Sequence, residues 1–463
     1  MKKLLTLTIT LALTAGVFAQ DKSLNAYTVK EAVDYALQNN TAVKNGKLGV
    51  DQAKWRNLEI ITTGLPKVSA NFDYNYYFKQ PISPALGNAF SGGVLGEVFG
   101  VLAASNPAIA NILSQPSQPV SFVLPHNIST GLQLTQLLFD GRYVFGVKAA
   151  KELMKNARLS STMSDNDVKY SVMKAYYQAE AAIEAKSLLQ ENLNIIEKLV
   201  TDTRATFKEG LIEETDVNRL ELAQATLESQ ITLQNQMGEV ALSNLKFQMG
   251  LPLDDEIILK DNLTELKAEI QTTIAEQFDA KNRIEYKMFE TGIKLNEYDM
   301  RQRRVQYFPS LYGFLNYGWN SQSQQGGDLF KKSSWFDQGL VGITLKVPIF
   351  DSGEKLASVK QAKIEGLKLQ NNFENFKSAS DLQFRAAQSG FNSALIDEAN
   401  MKRAQGLSKK IFDRTTIKYK EGVSNSFELQ QSEQDLATNN LKFIQSSLNV
   451  LNTKADLDKA LGK

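Results

Sequence analysis

The sequence predicts a mainly α-helical protein with membrane β-strands. It would consist of two duplicated halves, each a β-strand pair followed by a long coiled-coil helical hairpin. Three observations lead there. Two stretches, His126–Leu251 and Ile349–Lys463, contain no proline. Proline costs about 3 kcal/mol in a helix interior, so very long helices are permitted in both. The segments before each stretch alternate apolar and polar residues, the period of a half-buried strand. Finally, the same punctuation is written twice. "FDGRYVFGVKAAK" begins at Phe139 and "FDSGEKLASVKQAK" at Phe350, while Lys208-Glu209-Gly210 returns as Lys420-Glu421-Gly422. The separation from Gly141 to Gly210 equals that from Gly353 to Gly422, which marks an internal duplication.

The N-terminus reads as an address. Lys2 and Lys3 precede an apolar run from Leu4 to Leu13, and Val17 and Ala19 hold the small-residue positions before Gln20. This is a secretory signal peptide over residues 1–19. The apolar run is too short for a membrane helix. No cysteine stands at the cleavage point, which excludes a lipoprotein anchor there. The mature chain is expected to begin near Gln20.

Composition narrows the chemistry. The 463 residues carry 52 Lys and Arg against 51 Asp and Glu, a net charge of +1, so no basic surface argues for nucleic acid. There is no cysteine and one histidine, His126. Cysteine nucleophiles, zinc fingers and iron–sulfur clusters are therefore excluded, and no catalytic triad has its partners. No cofactor and no enzymatic activity are expected.

The first repeat, residues 20–250, opens its strand pair at "PKVSANFDYNYYF". Val68, Ala70, Phe72, Tyr74, Tyr76 and Phe78 share one face, and Lys67, Ser69, Asn71, Asp73, Asn75 and Tyr77 share the other, almost wholly polar one. The strands are expected at about 66–78 and 126–139. In the second strand Ile128, Thr130, Leu132 and Leu134 oppose Asn127, Ser129, Gln133 and Thr135. The second repeat, residues 251–463, places Leu311, Leu315, Tyr317 and Trp319, then Val341, Ile343, Leu345, Val347 and Ile349, on the apolar faces of strands at about 309–320 and 337–350. Segments of about 11 to 14 residues, rising ~3.3 Å per residue and tilted about 40°, cross a bilayer core. Four strands cannot enclose a lumen. Strands must then be shared between copies, and three copies supply twelve.

The hairpins follow at about 141–250 and 353–461. Along the first, Val168, Val172, Ala175, Ala179, Ala182, Lys186, Leu189, Leu193, Ile196, Val200, Thr203 and Phe207 alternate spacings of four and three, a coiled-coil seam. One helix from Tyr143 to Glu209 would reach roughly 100 Å. Gly210 and Gly422 are natural helix ends, and Thr215 or Asp216 can cap the next start. One departure from symmetry is the loop from Lys79 to Pro125, long and apolar. Glu97, Asn106 and Pro107 interrupt it as a membrane helix. It is expected to pack over the strand ends or against another surface component.

The pieces "LPKVSANFDYNY" and "FPSLYGFLNYGW", "LLFDGR" and "VPIFDSG", and "YKEGVSNSFELQQSEQDL", duplicated and in this order, resemble the TolC-type outer membrane efflux family over nearly the whole mature chain. The resemblance implies a homotrimer with a twelve-stranded barrel in outer membrane lipids and an α-helical tunnel in the periplasm. It implies a passive duct of tripartite efflux or type I secretion systems. Its partners would be a periplasmic adaptor (membrane fusion) protein and an inner-membrane transporter of the RND or ABC class. Carried onto this sequence, the adaptor would meet the hairpin tips at Lys208, Gly210, Thr215, Asp216, Lys420, Gly422, Ser426 and Phe427. The periplasmic aperture would involve Asp413, with Arg414 and Asp202 as modifiers. Three Asp413 copies would form an acidic ring. As a plain alternative, Asp413 is a solvated helix-face residue. A surface-anchored structural coiled coil without a transport role would explain the heptads but not the duplicated strand pairs. A simple porin would spend far more of its length on strands. The transported substrate and the pump class are not written in the sequence.

Overall fold

The computed structural model describes residues 25–81, 94–113, 123–268, 270 and 278–463. The expected signal peptide lies outside these residues. In chain order the elements are β1 (Asn25–Tyr27), α1 (Val29–Asn39), α2 (Thr41–Thr62), β2 (Lys67–Tyr76), α3 (Val94–Ser105), α4 (Pro107–Leu113) and β3 (His126–Phe139). The first long hairpin follows as α5 (Gly141–Lys208) and α6 (Glu214–Met249). Then come β4 (Ile257–Leu259), α7 (Leu263–Ala268), α8 (Ile284–Arg304), β5 (Ser310–Ser323) and β6 (Trp335–Lys346), and the second hairpin, α9 (Glu354–Lys420) and α10 (Ser426–Leu461). The duplication is metric. The hairpin arms are 68 and 36 residues in the first half and 67 and 36 in the second.

The repeated Phe-Asp junction has a physical reason. Asp140 Oδ1 accepts the Arg142 backbone N–H at 2.7 Å at the start of α5. Asp351 does the same for α9, accepting from Gly353 N at 3.1 Å and Lys355 N at 3.2 Å. Each aspartate satisfies amide donors that the first helical turn leaves orphaned. At the second junction Gly353 takes φ +87°, a conformation that favours glycine.

The described residues of 51–156 and 290–371 form one compact unit. Within it the sheet order is β2-β3-β5-β6, antiparallel throughout. The register puts the expected apolar residues in cross-strand rows. Val68, Leu134, Leu315 and Val341 make one row, and Ala70, Leu132, Tyr317 and Gly339 the next. The last strand ends at Lys346 rather than at residue 350. Pro348 has no N–H to give a ladder, so Val347, Ile349 and Phe350 leave the sheet as an exposed link. In the long loop, α3 stops at Ser105 and α4 restarts behind a cap in which Asn106 Oδ1 accepts from Ala108 N at 3.1 Å. Pro107 fills the first helical position, where no N–H is needed. The rest of that loop, 82–93 and 114–122, lies outside the described residues. Among the described residues no helix is long and apolar enough to cross a membrane.

The second unit comprises residues 25–50, 157–289 and 372–463 among those described. Ten of the twelve expected seam residues of α5 are buried; Lys186 and Phe207 are exposed. One core cluster gathers Val172, Tyr176, Leu245, Met249, Leu448 and Leu451. A second, toward the hairpin tips, gathers Leu189, Ile196, Leu220, Leu227, Phe412 and Leu429. The end of α6 is anchored closely. Gly250 has φ +78°, and a Cβ there would stand 2.9 Å from the Asn39 carbonyl oxygen. Gly250→Ala is expected to destabilise this unit by about 2 kcal/mol or more, read from guanidinium unfolding of the purified protein.

Candidate functional site

The two hairpin tips meet within the helical unit. Each first arm ends in a glycine at positive φ, +76° at Gly210 and +72° at Gly422, which lets the chain reverse. Gly210 N donates to Phe207 O at 2.8 Å, and Val423 N donates to Lys418 O at 2.8 Å, so the last carbonyls are satisfied. On the far side Asn425 caps α10, accepting from Glu428 N at 2.9 Å. In the first tip Glu213 holds the cap position of α6 without a side-chain cap bond, and Thr215 Oγ1 donates to Glu213 Oε2 at 3.0 Å.

Two hydrogen bonds tie one hairpin to the other. Ser426 Oγ donates to Asp216 Oδ1 at 2.5 Å, joining α10 to α6. The Thr203 and Tyr419 hydroxyls lie 3.1 Å apart, joining α5 to α9. The Arg219 guanidinium also stands over the Phe427 ring at 5.5 Å. These contacts border a hollow of about 630 Å³ whose lining includes Asp202, Asp216, Lys420 and Gly422. Four of the residues named from the sequence are therefore brought to one place, and a fifth, Ser426, is bonded to Asp216 among them. Lys208 closes α5 beside them. Asp413 and Arg414 do not line this hollow. They are exposed on α9, next to the buried Phe412.

Sequence reading missed Tyr419 as a tip residue, although it sits inside "KYKEG" and Thr203 belongs to the heptad seam of α5. Burial, opposed by the Thr203 hydrogen bond, raises the Tyr419 phenol above its ordinary range. It missed two buried carboxyls as well. Glu433 is 1% exposed, and Leu429 and Leu436, one turn on either side of it, are core residues of α10. Its Oε1 has no hydrogen-bond partner, and burial pushes its carboxyl up to about 7. The signal was periodic: Leu429, Glu433, Leu436 and Asn440 occupy one seam. Glu180 on α5 is also pushed to about 7, first by burial and then by the charges of Glu184, Asp261 and Glu265. Opposite it, Asp261 accepts from Val29 N at 2.6 Å, and Lys267 pairs with Glu398 at 2.7 Å.

Among the described residues no group of His, Asp or Glu is arranged to hold a metal ion. The sheet offers instead a two-faced surface. The apolar face carries exposed Val68, Phe72, Trp319, Val341, Ile343 and Leu345. The opposite face carries Ser69, Gln133, Asn316, Asn71 and Gln338. On α6, Leu222, Leu233, Met237, Val240 and Phe247 form a second exposed apolar stripe, on the side opposite the buried Leu220, Leu227 and Leu245.

Comparison with known proteins agrees with this geometry. Residues 281–463 match the family of the outer membrane efflux protein. The protease secretion protein PrtF of Dickeya chrysanthemi is 24% identical over 260 residues, 54% of each chain. The alignment thus spans about half the length of that curated relative. The solved CmeC outer membrane channel of Campylobacter jejuni superposes with a TM-score of 0.71 at 18% identity, covering 94% of this chain and 85% of that one. The open state of the Neisseria gonorrhoeae MtrE outer membrane channel gives 0.68 at 19% identity, covering 94% and 88%. Over residues 281–463 the chain is therefore similar to the outer membrane efflux proteins, and over 94% of its length it shares the fold of a solved outer membrane channel.

Proposed function

We propose that this chain is the outer membrane exit duct of a tripartite efflux or secretion system, working as a homotrimer whose helical hairpins continue into the periplasm. One observation carries the reading. The four-stranded sheet exposes an apolar face, its opposite face carries Ser69, Asn71, Gln133, Asn316 and Gln338, and β2 and β6 are free edges within it. Free edges and an exposed apolar face are both costly in water. Pairing β6 of one copy with β2 of the next, three times, closes twelve strands with the apolar face toward lipid. The exposed apolar stripe on α6 supports the same assembly, since it needs a neighbouring helix. The two sequence halves, 20–250 and 251–463, would each contribute one strand pair and one hairpin to the wall.

The duct carries its cargo without chemical change, recruited at its hairpin tips by a periplasmic adaptor and driven by an RND or ABC transporter. The likeness to PrtF, named for protease secretion, supports a protein cargo. The family match over residues 281–463, named for efflux, supports expulsion of a cargo outward. Reconstitution into planar lipid bilayers, with native mass measurement in detergent, tests the reading: three copies per conducting unit are expected. A monomer that needs no detergent and opens no channel would refute it.

Asp413 is proposed as one member of an acidic ring of three at the periplasmic entrance. Asp413→Asn should then shift the reversal potential in a salt gradient toward lower cation preference, leaving assembly intact. An unchanged reversal potential would make Asp413 a solvated surface residue.

A further inference from the structure

We propose that the polar face of the sheet carries a binding site for neutral polyhydroxylated solutes, oligosaccharides by class, at the level of Gly131 and Gly318. The proposal rests on the barrel reading, which turns this face toward a lumen. Two adjacent cross-strand rows make the site. Asn71, Gly131, Gly318 and Gln338 form one; Ser69, Gln133, Asn316 and Leu340 form the other. The paired glycines are imposed by the backbone. A Cβ at Gly131 would stand 2.8 Å from the Tyr317 carbonyl oxygen, and one at Gly318 2.8 Å from that of Thr130. The first row therefore has side chains only at its ends, and the sheet is hollowed between them, by about 640 Å³.

The lining chooses the ligand. Amides both donate and accept, as sugar hydroxyls do. Asn71 Nδ2 already donates to Asp73 at 2.9 Å, which leaves its oxygen free to accept. The Asn316 Oδ1 has no hydrogen-bond partner among the described residues. An apolar occupant would strand these groups unpaired. A charged occupant would meet little opposite charge, because Lys67, Asp73 and Lys346 are the charged strand residues of this face. One row away the Phe314 ring fills the place that a side chain on Gly342 would take, approaching within 2.5 Å of a Cβ built there. Within the lining itself Leu340 gives the hollow an apolar edge, suited to the C–H face of a pyranose ring.

The test uses the full chain reconstituted as a channel in planar bilayers, with maltohexaose as probe and a polyethylene glycol of equal hydrodynamic size as control. Maltohexaose should reduce the single-channel current in a saturable way, and the glycol should not. Gln338→Ala should raise the half-blocking concentration about tenfold, as loss of one or two hydrogen bonds implies. A channel on which maltohexaose acts no more strongly than the glycol overturns the site alone. An uncharged peptide that blocks as tightly as the sugar overturns the assignment to carbohydrate. If no channel forms, the barrel reading falls and the site with it.

Discussion

Unfolding of the helical unit should become easier as pH rises from about 4.5 to about 7, the reverse of the behaviour of a protein held by surface carboxylates. Glu433 and Glu180 carry the effect, since burial raises both to about 7 from an ordinary 4.5. In the unfolded chain each carboxyl loses its proton near 4.5; in the folded chain each keeps it until about 7. Between those values the folded state binds more protons, so stability falls with rising pH. Below 4.5 both states are protonated, and above 7 both are ionised, so the slope vanishes at either end. Each carboxyl contributes about 3 kcal/mol across the window, from 1.36 kcal/mol per pKa unit. The two should add, because Glu433 lies among tip-end core residues and Glu180 near the β4–α7 segment.

Guanidinium midpoints of the detergent-solubilised protein at pH 4.5, 6 and 8 measure this. Glu433→Gln should remove about half the slope, being uncharged at every pH. Glu433→Leu should raise the midpoint at pH 8, because an apolar side chain in an apolar row leaves no stranded charge. A wild-type midpoint that does not move between pH 5 and 7 would mean that water reaches both carboxyls in the folded protein.

The fold was open to sequence reading wherever the period was long and uninterrupted. The α5 seam extends over ten buried positions, and two-residue alternation marked the apolar faces of β2, β3, β5 and β6, because a slip of one residue would invert every side chain. Punctuation was equally legible: Gly210 and Gly422 stop the first arms, and Asp140 and Asp351 start them. The error at the end of β6 came from reading alternation through Pro348, which keeps the hydrophobic pattern while removing the ladder donor. Tip contacts between hairpins were hidden for a different reason. Thr203 with Tyr419 and Asp216 with Ser426 are separated by more than two hundred residues of sequence, and no local pattern records which side chains such a duplication brings face to face. Glu433 was written in the seam but passed over, since a glutamate in a helix is ordinarily an exposed one.

Cutting the tip bonds should open the proposed duct. Asp216→Ala removes the charged acceptor of Ser426, and a hydrogen bond to a charged group is worth about 1.5–3 kcal/mol. If the bond exists only in the closed arrangement, the open-to-closed ratio should rise about tenfold or more, at 1.4 kcal/mol per decade. Tyr419→Phe deletes one neutral bond, to Thr203, and should raise the ratio about fivefold. The two bonds join different helix pairs, α6 to α10 and α5 to α9, so both variants together test whether the tips move as one body. If they do, the second cut adds little after the first, and the double-mutant cycle shows coupling. If each pair yields separately, the effects multiply. Single-channel open probability decides between these, with Ser426→Ala as the partner control: it should match Asp216→Ala if the bond, and not the charge of Asp216 on the lining of the hollow, holds the tip closed. Open probabilities unchanged in all three variants would mean that the two bonds stiffen the tips without closing them. The aperture would then have to be held by groups between copies, for which Asp413 and Arg414, exposed on α9, are the candidates.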